Sequence, residues 1–343
     1  MKFKNLYLGI IASAFLFASC TDNDNADNDV SLGAYDNGVF ILNEGNFFSA
    51  NASLSYVSND LATFQNDIFK IVNSPATLGD VAQSMCFGGD KAFIVVNNSN
   101  EVEVVNRYTL KSLGVITEKL ENPRYSVVLN DKLYVTNAIS KAVTVYDTAT
   151  NAYVASIAVG KTVEKIVAAN GKLYVMNGAY GSGNQITVIN PATNTVSTTI
   201  TVEEGVNSIE EKNGSVYALC GSKTNSKLFK INTTTDTATV IESTTLKGAL
   251  NMDIDGNKIY YTKGTGVYAM DLTATTFSET PLFSVTDSSW STFYGFGVID
   301  GKIYSGDANG FTKDGTVTVY SSTGTVLKTL SVGVGPNGFY SNN

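Results

Sequence analysis

The chain has 343 residues, with 23 Lys and Arg against 31 Asp and Glu and no His, which gives a formal net charge of −8. Because nucleic acids and anionic membrane surfaces attract excess positive charge, this balance argues against both partners. The absence of His removes the usual general base, the usual ligand of catalytic zinc, and any Ser-His-Asp or Cys-His arrangement.

The first twenty residues have the pattern of an export signal. Lys2 and Lys4 precede an apolar run over residues 6–18, and Cys20 follows an Ala-Ser pair. A charged start, a short apolar run and small residues are typical of a cleaved signal, and a Cys at this point is typical of lipoproteins. We expect a signal peptide over residues 1–19 and lipidation of Cys20; an ordinary secretory signal is the alternative. The run is too short to persist as a membrane span.

An acidic tether is predicted after Cys20, over residues 20–34. Residues 21–29 contain only Thr, Asp, Asn and Ala, so they have almost no apolar surface to bury and they carry like charges. The plain interpretation is a spacer. The stretch also resembles the acidic signal behind the lipid Cys of surface-displayed lipoproteins in Bacteroidota, which implies a position on the cell exterior.

One phrase then recurs seven times: a Gly, Asn or Asp, a short apolar run around an aromatic residue, a polar loop, and two further alternating runs. The spacing of 40 to 53 residues is typical of propeller blades with four short strands. One such sheet cannot bury both faces alone, so the repeats must stack around an axis. The sequence therefore predicts an all-β fold, a seven-bladed β-propeller. The marker aromatics are Phe40, Phe93, Tyr134, Tyr174, Tyr217, Tyr260 and Tyr304.

The fourth repeat shows how each blade is expected to be built. Residues 163–167 form the innermost strand, Asn170-Gly171 is a strong tight-turn signal, and residues 173–176 return as the second strand. A loop is predicted over residues 177–185, followed by two more strands rich in Val, Ile and Thr.

The two ends of the propeller complement each other. Residues 39–42 begin the first blade without an innermost strand before them, and residues 338–341 are a spare strand after the last blade. We expect the spare strand to complete the first blade and close the ring, because an open ring leaves unpaired strand edges. Residues 35–343 are therefore predicted to be one domain.

The chain lacks sequence signals for catalysis or for a resident cofactor. It has no Walker loop, no dinucleotide-binding Gly pattern and one Trp. Residues 252–257 faintly resemble a calcium loop, but they are better explained as a hairpin turn. Cys86 and Cys220 are expected to be buried free thiols. We predict neither an enzyme nor a metal site.

Three long loops on one face of the propeller combine amides, carboxylates and aromatics in Gly-rich segments: residues 43–51, 177–184 and 306–314. The segments 123–125, 290–294 and 335–337 lead into innermost strands on that same face. Aromatics supply contact area and Asn supplies hydrogen bonds, a mixture that suits a large ligand with a polar rim. For each aromatic, packing between blades is the alternative role. The candidate binding residues are Asn43, Glu44, Asn46, Phe47, Phe48, Arg124, Tyr125, Tyr180, Trp290, Tyr294, Asp307, Phe311, Lys313 and Asn337.

The repeats resemble a known group of propellers. Residues 132–135, 143–151 and 157–160 are similar to the YncE-like propellers. Residues 39–56, from Val-Phe-Ile-Leu-Asn-Glu-Gly-Asn to the Asn-Ala-Ser-Leu-Ser-Tyr segment, and the ending over residues 313–339 resemble the BtuG-type lipoproteins. The resemblance covers essentially the whole chain after the signal.

This resemblance implies capture of a nutrient rather than catalysis. BtuG-type proteins are lipid-anchored on the outer membrane, bind cobalamin and pass it to a TonB-dependent transporter. Applied to this chain, the candidate residues would hold the corrinoid, and cobalt would not be ligated by His. The lipid would be the sole link to the membrane. The alternative from a different class is an adhesin or scaffold propeller that binds protein or glycan.

Overall fold

Seven four-stranded antiparallel sheets make up most of residues 31–286 and 289–343, the part that this computed structural model describes. Residues Leu32–Asn343 form one compact unit. The predicted signal peptide, Cys20 and the tether to residue 30 lie outside the described residues. The strands are β1 (Gly38–Asn43), β2 (Ser53–Ser58), β3 (Phe64–Gln65), β4 (Ala82–Gly88), β5 (Lys91–Val96), β6 (Glu101–Asn106), β7 (Ser112–Ile116), β8 (Pro123–Leu129), β9 (Lys132–Asn137), β10 (Ala142–Asp147), β11 (Tyr153–Ala158), β12 (Ile166–Ala169), β13 (Lys172–Ala179), β14 (Ser182–Asn190), β15 (Thr195–Thr201), β16 (Val206–Lys212), β17 (Ser215–Gly221), β18 (Ser226–Asn232), β19 (Thr237–Ser243), β20 (Leu250–Asp255), β21 (Lys258–Lys263), β22 (Gly266–Asp271), β23 (Phe283–Ser284), β24 (Gly295–Ile299), β25 (Lys302–Asp307), β26 (Thr316–Tyr320), β27 (Val326–Ser331) and β28 (Pro336–Asn342).

The sheets are the blades of a seven-bladed propeller, as predicted. Blade 1 has the order β28-β1-β2-β3, and blades 2 to 7 take the remaining strands in consecutive groups of four, from β4–β7 to β24–β27. The first strand in each order contacts its counterparts in both neighbouring blades, so these seven innermost strands surround a central channel.

Tight turns join the innermost strand of a blade to the second strand. Asn170 and Gly171 have φ of 48° and 74°, and Asp300 and Gly301 have 50° and 71°. Two consecutive positive φ values are what a two-residue hairpin turn requires, and Asn, Asp and Gly adopt them at least cost. The turn predicted in the fourth repeat is confirmed.

The core consists of seven apolar clusters, counted over the described residues, and each lies between two neighbouring blades. In one of them Tyr217 and Leu219 of blade 5 pack against Ile259 and Tyr261 of blade 6. All seven marker aromatics are at most 4% exposed. Burial of such a side chain contributes about 1.5–3 kcal/mol, so the sequence repeat records the packing that joins blade to blade.

The C-terminal strand closes the ring. β28 pairs with β1 in antiparallel register, with Phe40 opposite Tyr340. The buried Asn342 amide donates to the carbonyl oxygens of Tyr35 (2.6 Å) and Arg107 (3.0 Å), and its Oδ1 accepts from Arg107 Nε at 2.6 Å. The predicted closure of blade 1 by the last strand is confirmed.

Local structure departs from the sequence predictions at three places. A short helix, α1 (Ile68–Asn73), interrupts the connection from β3 to β4, where no helix was predicted. The loop predicted at residues 177–185 was wrong, because β13 and β14 continue as a paired hairpin to Ala179 and Ser182. Residues 123–125 and 336–337 were expected before the innermost strands but lie within β8 and β28.

Both remaining cysteines are free thiols, as expected; Cys220 is buried as predicted, whereas Cys86 is partly exposed. Cys86 lies in the innermost strand β4 and Cys220 in β17. Burial raises the pKa of each thiol to about 12, so both stay protonated and unreactive. No helix within the described ranges is long and apolar enough to span a membrane.

The two ends of the channel differ in what surrounds them. We call one end of the channel the upper face. It carries the loops between the second and third strands of each blade and the connections that lead into the innermost strands. The lower face is the opposite end. It carries the tight turns that join each innermost strand to the second strand, and the chain enters the first blade there. There Tyr35 N–H donates to Tyr108 O at 3.0 Å.

Deletion of residues 335–343 should destabilise the whole protein by at least about 5 kcal/mol, because it removes the strand that completes blade 1. Asn342→Ala should cost about 2 kcal/mol or more, since it leaves two buried carbonyls without a donor. Denaturant unfolding measures both, with Asn343→Ala as the exposed control. An unchanged midpoint for the deletion would contradict the closure.

Glu103 predicts a pH dependence of stability. It is 8% exposed in β6, and burial first, then the neighbouring Glu101, raise its pKa to about 7. An acid whose pKa is raised on folding stabilises the fold at low pH, and that contribution is lost as pH rises from about 4.5 to 7. Glu103→Gln should therefore be more stable than wild type at pH 8 and equal to it near pH 4. The control is Glu118→Gln, the same substitution at an exposed carboxylate.

Candidate functional site

The upper end of the channel is built by irregularities in the innermost strands. The pairing register shifts near the start of β4, β8, β16, β20 and β28, where the extra residue of a bulge enters. A bulge bends the strand and turns a side chain that regular pairing would direct elsewhere. In all five strands the second residue is polar and lines the channel or its rim: Gln83, Arg124, Asn207, Asn251 and Asn337.

These strands enclose a cavity of about 420 Å³ in the channel, lined by residues from all seven blades. Its wall carries amides, hydroxyls and ionisable groups beside the apolar surfaces of Met85, Met252 and Phe339. The mixture of a few polar groups on an otherwise apolar wall is typical of a small-molecule site.

Side-chain hydrogen bonds join every neighbouring pair of blades around this end of the channel. Some of them run from an amide to a backbone carbonyl: Asn251 Nδ2 to Phe293 O is 3.1 Å, for example. Since each bond ties two blades, the polar groups at the upper face are fixed in position. In blade order from 1–2 to 7–1, the bonds are Asn337–Ala82 and Gln83, Gln83–Arg124, Arg124–Glu164, Lys165–Glu210, Asn207–Ala249, Asn251–Phe293 and Tyr294–Glu44.

Arg124 is the centre of the pairs between blades 2, 3 and 4. Its Nε donates to both Glu164 oxygens at 3.0 and 3.1 Å, and its Nη1 donates to Gln83 Oε1 at 2.5 Å. Burial raises the pKa of Glu164, and the Arg124 charge opposes that rise. Burial works to lower the pKa of Arg124, but Glu164 outweighs it and the pKa is raised.

Glu44 and Tyr294 meet at the seam between blades 7 and 1. The Tyr294 hydroxyl donates to Glu44 Oε2, and the carboxylate is 7% exposed. Burial raises the pKa of Glu44, opposed by the Tyr294 hydrogen bond and by Arg124. Burial and the Glu44 charge both raise the pKa of Tyr294, so the phenol remains a donor.

Deeper in the channel, Lys165 bonds Glu210, and Asp253 lies close enough to raise the pKa of Lys165 further. Burial raises the pKa of Glu210 to about 7 and also raises that of Asp253. Asp253 Oδ2 accepts from Val298 N–H at 2.6 Å. The polar groups at this end of the channel thus include two cations, Arg124 and Lys165, and four carboxylates, and burial opposes the ionisation of each carboxylate.

Exposed aromatics stand on two opposite sides of the channel. On the side of blades 7 and 1, Phe47 and Phe48 are 58% and 88% exposed, and Trp290 is 72% exposed. On the side of blade 4, three blades away in either direction, Tyr180 is 97% exposed at the tip of the β13–β14 hairpin. Large exposed aromatics of this kind mark surfaces that contact another molecule.

The aromatic group at the seam is ordered by its own contacts. The Trp290 and Phe311 rings are nearly parallel, with centroids 6.2 Å apart, and Tyr294 meets Phe311 edge-on at 4.9 Å. Phe47 and Phe48 form a separate tilted pair at 6.1 Å. Tyr294 therefore links the aromatic group to Glu44 and the channel lining.

All fourteen candidate residues lie on the upper face, and ten of them fall in two settings. Arg124, Tyr125, Tyr294 and Asn337 line the channel or its rim, with Glu44 bonded to Tyr294 beside them, and Phe47, Phe48, Tyr180, Trp290 and Phe311 are the aromatics above it.

The other four candidates stand apart from the channel. Asn43 is fully buried in blade 1, where its amide donates to Ser53 and Ser55. Asp307 Oδ1 accepts from Ser291 Oγ and from Asn309 N–H, each at 2.7 Å, and so shapes its own loop. Asn46 is partly exposed and Lys313 is exposed.

Several residues of the lining were not predicted from the sequence. Five of them are polar residues of innermost strands, and the other two, Glu164 and Lys165, come directly before β12. A signal was available, because five innermost strands have a polar residue at their second position. The repeat was recognised from the aromatic residue of the second strand instead, so this position was not compared between blades. These residues are Gln83, Glu164, Lys165, Asn207, Glu210, Asn251 and Asp253.

Among the residues that the structure describes, no group of three or more Cys, Asp or Glu is placed to hold a metal ion. The segment 252–257, which faintly resembles a calcium loop, comprises the end of β20 and the two-residue turn that leads into β21. The upper face therefore offers hydrogen-bonding groups and aromatic surface.

The sequence matches the family described as "Domain of unknown function (DUF5074)" over residues 37–330. The chain belongs to this family. No curated protein matches the sequence significantly.

Solved structures share the fold of this DUF5074 protein. A quinonprotein alcohol dehydrogenase-like protein from Bacteroides thetaiotaomicron superposes with a TM-score of 0.72 at 16% identity, over 90% of this chain and 79% of that one. The hydrazine synthase of Kuenenia stuttgartiensis gives 0.61 at 17% identity, over 74% and 90%. Apo AztD from Citrobacter koseri gives 0.56 at 12%, over 88% and 96%. At these identities the likeness extends to the fold alone.

Tyr294→Phe should destabilise the protein by about 1–3 kcal/mol, because it leaves the buried Glu44 carboxylate without its hydroxyl donor. Thermal and denaturant unfolding measure the loss. Tyr180→Phe is the matched control, since its hydroxyl is solvent-exposed and its removal should change nothing. Equal stability of both variants would show that the Tyr294–Glu44 bond does not secure the seam.

Proposed function

We propose that this protein binds a small molecule over the upper end of the channel and carries out no chemistry on it. The main support is the combination of two features. Polar side chains form a ring of inter-blade hydrogen bonds around the upper end of the channel, which we call the polar ring, and exposed aromatics stand on two opposite sides of it. The ring offers donors and acceptors in alternation, and the aromatics offer contact area at the edges. A flat ligand lying across the channel would meet both.

The lining favours an uncharged ligand over an ionic one. Arg124 and Lys165 are already paired with carboxylates, so an anionic group would meet Glu164 or Glu210 beside each cation. A cationic group would meet Arg124 or Lys165 beside Glu164 or Glu210. The other two carboxylates, Glu44 and Asp253, already accept hydrogen bonds from the Tyr294 hydroxyl and from Val298 N–H. An amide, in contrast, accepts from a cation and donates to a carboxylate or an Asn oxygen at the same time. The charge pattern therefore suits a ligand with many neutral amide or hydroxyl groups.

Cobalamin is the ligand we propose. Its corrin macrocycle is broad and flat, which suits contact with the exposed aromatics. Amide side chains surround the macrocycle, and these could exchange hydrogen bonds with the polar ring of the protein. The resemblance of residues 39–56 and 313–339 to the BtuG-type lipoproteins supports the same ligand. In this proposal the protein is a lipoprotein of the outer membrane that faces the cell exterior and delivers cobalamin to a TonB-dependent transporter.

Calorimetric titration of residues 30–343 with cyanocobalamin tests the proposal. One-to-one binding with a dissociation constant in the micromolar range or tighter is the expected result. Absence of both heat and thermal shift would remove cobalamin and favour the alternative, a propeller that binds glycan or protein through the same exposed aromatics.

Two substitutions test the aromatic contacts. Phe47→Ala and Trp290→Ala should each weaken binding by about 1 kcal/mol or more, the scale of an aromatic anchor in an interface. Their melting temperatures should change little, because both side chains are largely exposed. Unfolding of both variants would instead assign these rings to packing between blades.

A further inference from the structure

One aromatic residue in each of the three long loops has an unusual backbone conformation. Phe48, Tyr180 and Phe311 have φ of 62°, 51° and 59°. Bulky residues rarely occupy this left-handed region, and such strain persists only where the surroundings enforce it. The three residues lie in corresponding loops of blades 1, 4 and 7, between the second and third strands.

Asp80 constrains the first of these loops. Its Oδ2 accepts from the backbone N–H of Phe48 at 2.9 Å and from Asn98 Nδ2 at 2.6 Å. Its backbone is held in turn, because Asp80 N–H donates to Ser99 Oγ at 3.0 Å and its carbonyl accepts from Asn98 N–H at 3.1 Å. The carboxylate thus ties the exposed Phe48 of blade 1 to the ordered loop of blade 2.

Glu204 has the same relation to the hairpin of blade 4. Its Oε1 accepts from the backbone N–H of Gly183 at 2.8 Å, three residues after Tyr180. Ser182 Oγ donates to Ala179 O at 2.8 Å across the tip. Like Asp80, Glu204 lies on the connection that leads into the next blade, so the neighbouring blade again holds the loop.

Phe311 is held differently, by contact of its ring with Trp290 and Tyr294. Phe48, whose ring meets Phe47 of its own loop, and Tyr180 are the ones whose loops are restrained by a carboxylate on the connection to the next blade. The restraint therefore occurs where the aromatic side chain itself gives the loop little packing.

We infer that Asp80 and Glu204 are positioning residues that keep Phe48 and Tyr180 ready on opposite sides of the channel. Neither carboxylate needs to touch the ligand. Each reduces the conformational freedom that its loop would otherwise lose on binding, and this reduction is a general source of affinity. The inference deepens the proposed function and rests on it for the effect on ligand affinity.

Amide hydrogen exchange without ligand tests the positioning directly. In Asp80→Ala, exchange in a peptide covering residues 44–52 should accelerate at least fivefold while a peptide covering 178–186 is unchanged. Glu204→Ala should give the reverse pattern. Asp80→Asn and Glu204→Gln keep an acceptor oxygen and should stay close to wild type. Unchanged exchange in both Ala variants would overturn the inference, whatever the ligand is.

Titration with cyanocobalamin tests the consequence for binding. Asp80→Ala and Glu204→Ala should each weaken binding about five- to tenfold, with the Asn and Gln variants restoring it and all melting temperatures within a few degrees of wild type. Wild-type affinity in both Ala variants would contradict the positioning role. If the wild-type protein does not bind cyanocobalamin, the proposed ligand fails, and the exchange experiment alone decides whether the carboxylates position the loops.

Discussion

The pairing of β28 with β1 is the constraint on which the rest of this structure depends. A four-stranded blade has two faces, and each face is covered only by a neighbouring blade, so the seven apolar clusters exist together only in a closed ring. Closure also brings seven innermost strands to one axis. Without that convergence, polar residues as far apart in sequence as Glu44 and Tyr294, which are separated by 250 positions, would not come into contact.

The same convergence explains why the polar ring serves both stability and binding. Near the axis the innermost strands have no further strand to cover them, so their side chains face a narrow channel. Bulges at the strand starts place amides and charges there, and the inter-blade bonds use only part of their hydrogen-bonding capacity. Asn337, for example, donates from Nδ2 to two carbonyls while its buried Oδ1 lacks a partner among the described residues. A ring of this kind is rigid before any ligand arrives.

The sequence predicted the features that a local pattern encodes. The spacing of the aromatics, the Asn-Gly turn and the spare final strand lead to the blade number, the hairpins and the closure. It also predicted which face carries the long loops, because strand order alone decides that. The pairs across blades, such as Lys165 with Glu210, could not be predicted, since they depend on how two neighbouring sheets are oriented relative to each other. The bulges were missed because one extra residue hardly changes the apolar alternation, and the extended hairpin at Tyr180 because Gly-rich segments look like loops.

The contact between Tyr35 and the closing strand has a mechanical consequence. Tyr35 and Asn342 meet beside Tyr108 and Arg107 at the lower face, at the opposite end of the channel from the aromatics. Tension applied at Tyr35 would therefore pass into β1, β28 and the turn between β6 and β7 of blade 2. The loops that carry Phe48, Tyr180 and Trp290 lie outside this path. Force on Tyr35 would act on the pairing of β1 with β28, while the upper-face loops kept their geometry.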